Sequence, residues 1–149
     1  MNLFQQLAIA ALLVALTLCL QCAGVAVTVE WLKTVAIRGV RKLPIAHSAV
    51  LVMQTTMAII FLQGAIILLW ANGYRRLCMW SWQSAFYFSA ASYSTVGYGD
   101  VVLPSRWRLL GPLESMMGVL MCGISVSLLF ALINRLLDDK IRVQRVNPS

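Results

Sequence analysis

The chain has 149 residues, 60% of them hydrophobic and 11% charged, with a mean hydropathy of +0.81. That is too apolar for a water-soluble domain and points to a polytopic membrane protein. The net charge of +7 rests on basic residues dispersed among short connections between apolar runs, which favours anionic lipid headgroups over nucleic acid as their counterpart. The acids Glu30, Asp100, Glu114, Asp138 and Asp139 are scattered and there is one histidine, His47. No nucleophile and base stand in a recognisable constellation, so neither an enzyme nor a cofactor is expected.

Within an N-terminal segment 1–29, residues 7–29 carry no formal charge and are long enough to cross a hydrocarbon core of about 30 Å. A secretory signal is the alternative, but residues 1–6 hold no Lys or Arg and no small-x-small cleavage site follows. Residues 30–44 carry Lys33, Arg38, Arg41 and Lys42, while Leu32, Val35, Ala36, Gly39, Val40 and Leu43 recur at helical spacing. That pattern predicts a basic amphipathic helix on the cytoplasmic membrane surface, with a solvated loop as the plainer reading. The pair Cys19 and Cys22 has no companion pair or histidine beside it, so no metal is assigned.

Pro44 suits a helix start, and residues 45–70 predict the second span, with Gln54 and Gln63 bonding to neighbouring helices. Residues 71–79 predict an outer connection with Asn72-Gly73 as its turn, and Trp80 and Trp82 suit an aromatic belt. Cys78 precedes the next helix as a free thiol or an intersubunit disulfide.

Residues 80–94 are long enough for about three helical turns and lead into Thr95-Val96-Gly97-Tyr98-Gly99-Asp100. In an extended segment successive carbonyls point to opposite sides. Lining several up on one axis needs alternate residues at positive φ, which glycine adopts at little cost, and Gly97 and Gly99 have that spacing. Such rows, repeated around an axis, replace the water shell of a cation.

This hexapeptide, between two apolar spans, resembles the signature filter of potassium channels without a substitution, and the resemblance covers residues 45–137. It implies an all-α membrane protein with three transmembrane helices per chain, a re-entrant pore helix (80–94) and filter (95–100) between the second and third, and four chains around one pore. The resemblance assigns potassium ions to Thr95, Val96, Gly97, Tyr98 and Gly99, an outer mouth to Asp100, and filter support from behind to Tyr87 and Phe88. Relatives that carry an acid on this helix differ from this chain, which has Ala91 and Ser92 there.

The third span is expected at 112–137. Either Gly111-Pro112 starts it, placing Glu114 in the first turn near the outer surface as a cap or a partner to an arginine, or it begins near Ser105 and Pro112 kinks it. Glu114 is the one acid in this span, and an acid at membrane depth is otherwise a functional candidate. By resemblance the inner helix bends at a glycine, Gly123 or Gly118, with Ile124, Ser127 and Leu128 near the cavity below the filter. Residues 138–149 form a short cytoplasmic tail. An outward-facing filter puts Lys33, Arg38, Arg41, Lys42, Arg135, Lys140, Arg142 and Arg145 inside and only Arg75, Arg76, Arg106 and Arg108 outside, which agrees with the positive-inside rule. The amino terminus is then outside and the carboxyl end cytoplasmic, in a plasma or inner membrane.

The function expected from the resemblance is passive potassium conduction through a homotetramer. No segment carries arginines at every third position, so a voltage sensor is not expected. A non-selective cation channel and a non-conducting regulatory subunit are the alternatives.

Overall fold

The computed structural model describes residues 3–37 and 45–146, and among them all regular structure is helical. In chain order come α1 (Leu3–Ile37), α2 (Ile45–Leu77), α3 (Trp82–Tyr93), a 3-10 turn (Ser105–Trp107) and α4 (Leu110–Val146). Three stretches, Phe4–Thr34, Ser48–Leu77 and Ser105–Asp138, each contain an 18-residue window of high mean hydropathy, 2.3, 2.0 and 2.4 respectively. Each is long and apolar enough to cross a bilayer, which makes the chain a multi-pass membrane protein.

Hydroxyls inside these helices find partners on their own backbone. Thr17, Thr28, Thr55, Thr56 and Ser125 each donate to the carbonyl four residues earlier, at 2.8 to 2.9 Å. This back-bonding lets a hydroxyl sit at membrane depth without an unsatisfied donor.

Helix α2 runs antiparallel to both α1 and α4. Against α1, Leu13 meets Gly73, Thr17 meets Trp70 and Gly24 lies under Leu62, so the numbering falls on one helix as it rises on the other. Against α4, Gln63 reaches Ser125 and Tyr74 reaches Glu114. The first helix is also tied to the last, because Gln21 Nε2 donates to Ser125 Oγ at 3.1 Å and lies 3.4 Å from the Met121 carbonyl. The short helix α3 packs between α2 and α4. Its buried Ala85 and Tyr93 join Ile66, Trp70, Tyr74, Leu110, Met117 and Met121 in one core.

Several boundaries differ from those read in the sequence. α2 passes straight through Asn72-Gly73, because Ala71 and Tyr74 on either side are fully buried and Gly73 lies against Leu13. Tertiary packing outweighs the local turn signal there. The helix closes at Cys78 and Met79, whose amides both donate to the Tyr74 carbonyl at 2.9 Å. α3 begins at Trp82, with Ser81 as its N-cap. α4 begins at Leu110, which leaves Pro112 within the first turn where its missing amide costs no hydrogen bond, and continues to Val146 through most of the expected tail. α1 continues without a break through Glu30 to Ile37, so the surface helix expected at 30–44 is, as far as described, an extension of the first span. Residues 38–44 lie outside the described ones.

The Trp70 indole Nε1 donates to Thr17 Oγ1 at 2.9 Å, both residues being fully buried. Thr17→Val removes the acceptor and strands the indole N–H, at a cost of about 1–3 kcal/mol. A lower unfolding midpoint of the detergent-solubilised chain is expected, partly restored by adding Trp70→Phe, and a midpoint equal to wild type would show that this bond does not hold α1 in place.

Candidate functional site

The loop after α3 grows directly from the helix end. Ser94 caps it, its amide donating to the Ala90 carbonyl at 3.1 Å, and the Thr95 amide reaches Ser92 O at 3.0 Å. The Gly97 amide reaches back to Ala91 O at 3.1 Å, which hangs the loop from the last turn of the helix. Thr95, Gly97 and Gly99 have φ of 63, 52 and 78 degrees. Positive φ at alternate residues is the backbone pattern that brings successive carbonyls toward one side. A Cβ on Gly97 or Gly99 would meet nothing within 4 Å, so glycine is required here by conformation and not by crowding. Thr95, which bears a Cβ, holds the same region at a cost of about 1–2 kcal/mol.

One side chain of α3 holds the second half of the loop. The Tyr87 hydroxyl donates to Asp100 Oδ2 at 2.9 Å, and its ring stacks on Tyr98 with centroids 6.3 Å apart and planes at 13 degrees. The bond to Asp100 pushes the Tyr87 phenol above its ordinary range. Asp100 in turn accepts from the Val101 amide at 3.0 Å, closing the mouth of the loop.

Phe88 points elsewhere. It meets the Tyr74 ring edge-on at 5.1 Å and lies beside Gly111, within the core of its own chain. Adjacent residues on a helix diverge by about 100 degrees, so of the expected pair Tyr87 reaches the loop and Phe88 anchors the helix behind it.

A family model described as an ion channel matches residues 49–135, from within α2 through α3 and the 95–100 loop to within α4. The chain belongs to that family, the two-helix pore-loop ion channels typical of potassium channels. No curated protein and no solved structure matches it at a significant level.

In this channel chain the two candidate hinge glycines differ. A Cβ on Gly118 would stand 2.1 Å from the Tyr93 carbonyl oxygen, so Gly118 is where α4 passes closely against the end of α3. Gly123 is exposed and a Cβ there would meet nothing within 4 Å. Ser127 is exposed with its hydroxyl returned to the Ile124 carbonyl at 2.8 Å, and Leu128 is half-buried. Ile124, expected beside the cavity below the loop, borders a groove of about 390 Å³ between α1 and α4, with Gln21, Cys22 and Val25.

Glu114 is not at the surface. It is fully buried, with Tyr74 Oη 2.7 Å from its Oε2 and Ser89 Oγ within hydrogen-bonding distance of its Oε1. Among the described residues the one ion pair joins Lys33 to Glu30 at 2.7 Å, so no arginine partners Glu114. The expectation failed because Pro112 and the outer arginines suggested a helix start in water, whereas α3 covers that first turn.

Sequence reading also passed over Ser89, Tyr74 and Tyr93. Tyr93 donates to Gln63 Oε1 at 2.7 Å, and Gln63 Nε2 donates to Ser125 Oγ at 3.0 Å, which links the base of the loop to α2 and α4. Gln54, expected to bond a neighbouring helix, is exposed on this chain. The available signal was the set of serines and tyrosines in 84–94, which an apolar helix would not carry without partners. Burial pushes the Cys78 thiol up, against the pull of Arg106, so it is a poor thiolate nucleophile. Of the residues expected to meet anionic lipid, Lys33 is exposed and paired with Glu30; Arg38, Arg41 and Lys42 lie outside the described residues, as does the His47 side chain.

The contrast between the glycines is testable. Gly118→Ala forces α4 away from the Tyr93 backbone and lowers stability by about 1–3 kcal/mol, the usual penalty of overpacking. Gly123→Ala leaves the unfolding midpoint unchanged or slightly raised, as expected where glycine is replaced in an open helix position. Equal midpoints for the two variants would remove Gly118 from the contact between α3 and α4.

Proposed function

We propose that four copies of this chain form a potassium-selective channel that conducts passively, with the 95–100 loop of each copy as one wall of its filter. The observation that carries this reading is the positive φ at Thr95, Gly97 and Gly99 within Thr-Val-Gly-Tyr-Gly-Asp. In this arrangement Thr95 offers hydroxyl and carbonyl oxygens, Val96, Gly97 and Tyr98 offer carbonyls, and Gly99 and Asp100 shape the mouth, where four carboxylates concentrate cations. The large exposure of Val96 and Tyr98 in the single chain, 53% and 71%, supports further copies around the loop, since apolar side chains of that size are covered in an assembly.

In this reading α3 is the re-entrant pore helix, and its carboxyl end faces the space below the filter with a partial negative charge that favours a cation. α4 lines the axis, α2 lies outside it, and α1 occupies the periphery, tied to α4 through Gln21. The open surroundings of Gly123 support it over Gly118 as the bending point of the inner helix, with Ser127 and Leu128 beside the inner cavity and Ile124 turned instead toward α1. The amino terminus is outside and the carboxyl end cytoplasmic, in a plasma or inner membrane whose anionic lipids meet Lys33, Arg38, Arg41 and Lys42. Opening is not driven by a voltage-sensing helix.

Flux from liposomes holding the purified chain tests the proposal, with potassium, rubidium, sodium and lithium compared. Potassium and rubidium are expected to pass and sodium and lithium to be retained. Equal passage of all four would establish a non-selective cation channel, and absence of any barium-sensitive leak would favour a regulatory subunit. Gly97→Ala puts a methyl group on a residue at φ 52 degrees, costing about 1–2 kcal/mol in each of four loops. It is expected to abolish flux while the tetramer persists on size-exclusion chromatography, and wild-type flux in that variant would count against the filter assignment.

A further inference from the structure

Glu114 lies where α2, α3 and α4 meet, and among the described residues it is the only fully buried acid. Three contacts run through it in series. Tyr74 Oη stands 2.7 Å from Glu114 Oε2, Ser89 Oγ is within hydrogen-bonding distance of Glu114 Oε1, and Ser89 Oγ is also 2.9 Å from the Ile67 carbonyl oxygen. Three oxygen-to-oxygen links need three protons. The Tyr74 and Ser89 hydroxyls carry one each and the Ile67 carbonyl carries none, so a carboxylate, which only accepts, leaves one link without a proton.

The neighbouring hydroxyls on α3 and α4 are committed elsewhere, and the buried Trp107 indole Nε1 makes no hydrogen bond to Glu114. On α3 the Tyr93 hydroxyl is committed to Gln63, and on α4 the Ser115 hydroxyl is committed to the carbonyls of Ser92 and Gly111. The ion pair between Lys33 and Glu30 is the only one among the described residues, so no cation offsets a charge at Glu114. An uncompensated carboxylate in an apolar interior is costly.

We infer that Glu114 stands as the neutral carboxylic acid, donating to Ser89 while accepting from Tyr74, and that in this form it positions α3 and the loop that α3 carries. Ser89 then passes its own proton to the Ile67 carbonyl, and all three links are complete. Glu114 touches no permeating ion. It is a positioning residue, acting through Ser89, and its effect on conduction rests on the filter reading proposed above. A side chain that needs one donor and one acceptor at its tip is matched by glutamine, whose amide donates to Ser89 and whose carbonyl accepts from Tyr74.

Two measurements on the purified full chain in liposomes test this. Infrared difference spectra between wild type and Glu114→Gln at neutral pH should show loss of a protonated-carboxyl C=O band, and loss of a carboxylate band instead would overturn the neutral state. In the flux assay at neutral pH Glu114→Gln should keep potassium flux and its ratio to sodium within about twofold of wild type. Glu114→Ala, which strands the buried Tyr74 hydroxyl and unties Ser89 from α4, should lose about tenfold or more. Should Glu114→Ala fail to assemble, Ser89→Ala carries the same test from the α3 side and should lose flux comparably. A Glu114→Gln variant as impaired as the alanine variants, or Ser89→Ala with wild-type flux, would overturn the positioning role. A wild-type chain that passes no potassium would sink the conduction proposal, while the infrared result would still decide the state of Glu114.

Discussion

A polar group at membrane depth has no water to turn to, and that constraint organises this molecule. Most of the buried hydroxyls, amides and carboxyls carried into the apolar spans find a partner on the protein, the Gln21 Oε1 oxygen being an exception. The hydroxyls of Thr55 and Thr56 return to their own helix. Glu114, Ser89, Tyr74, Gln63, Tyr93, Gln21, Thr17 and Trp70 instead pair across helices. Because lipid tails are as apolar as leucine, burial alone selects no particular packing between spans. The cross-helix hydrogen bonds and the close approach at Gly118 select it.

The consequence for function runs through α3. This helix carries the 95–100 loop, and it is held on one side by Ser89 to Glu114 and Ile67, at its end by Tyr93 to Gln63, and along α4 by the Tyr93 carbonyl seated on Gly118. Tyr87, on the face left open, holds Tyr98 and Asp100. The residues of α3 therefore divide into those that fix the helix and those that fix the loop. A loop with alternate positive φ has few local contacts of its own and depends on such an external frame.

The first helix extends the two-helix module that the family model covers, which begins at residue 49. Its attachment is polar as well as apolar: Thr17 accepts from Trp70, and Gln21 donates to Ser125 on α4, the residue that Gln63 also reaches. α1 is thus joined to the same small network that supports the base of the loop, so it is a structural part of the module and not a detached anchor.

Membrane spans and the loop motif were legible in the sequence because both are local properties. An apolar run of sufficient length has one low-energy form in a bilayer, and the positive φ at Gly97 and Gly99 favours glycine even where the surroundings are open. Helix ends were less legible: Asn72-Gly73 reads as a turn, yet the burial of Ala71 and Tyr74 keeps α2 intact through it. Least legible was Glu114, whose place in the chain suggests an exposed helix start, and Phe88, whose neighbour Tyr87 faces the loop. By itself the sequence determined how many segments can cross a membrane and which six residues form the distinctive loop. Tertiary structure alone decided which polar side chains pair across helices, because donors and acceptors distant in the chain meet only once α3 is seated between α2 and α4.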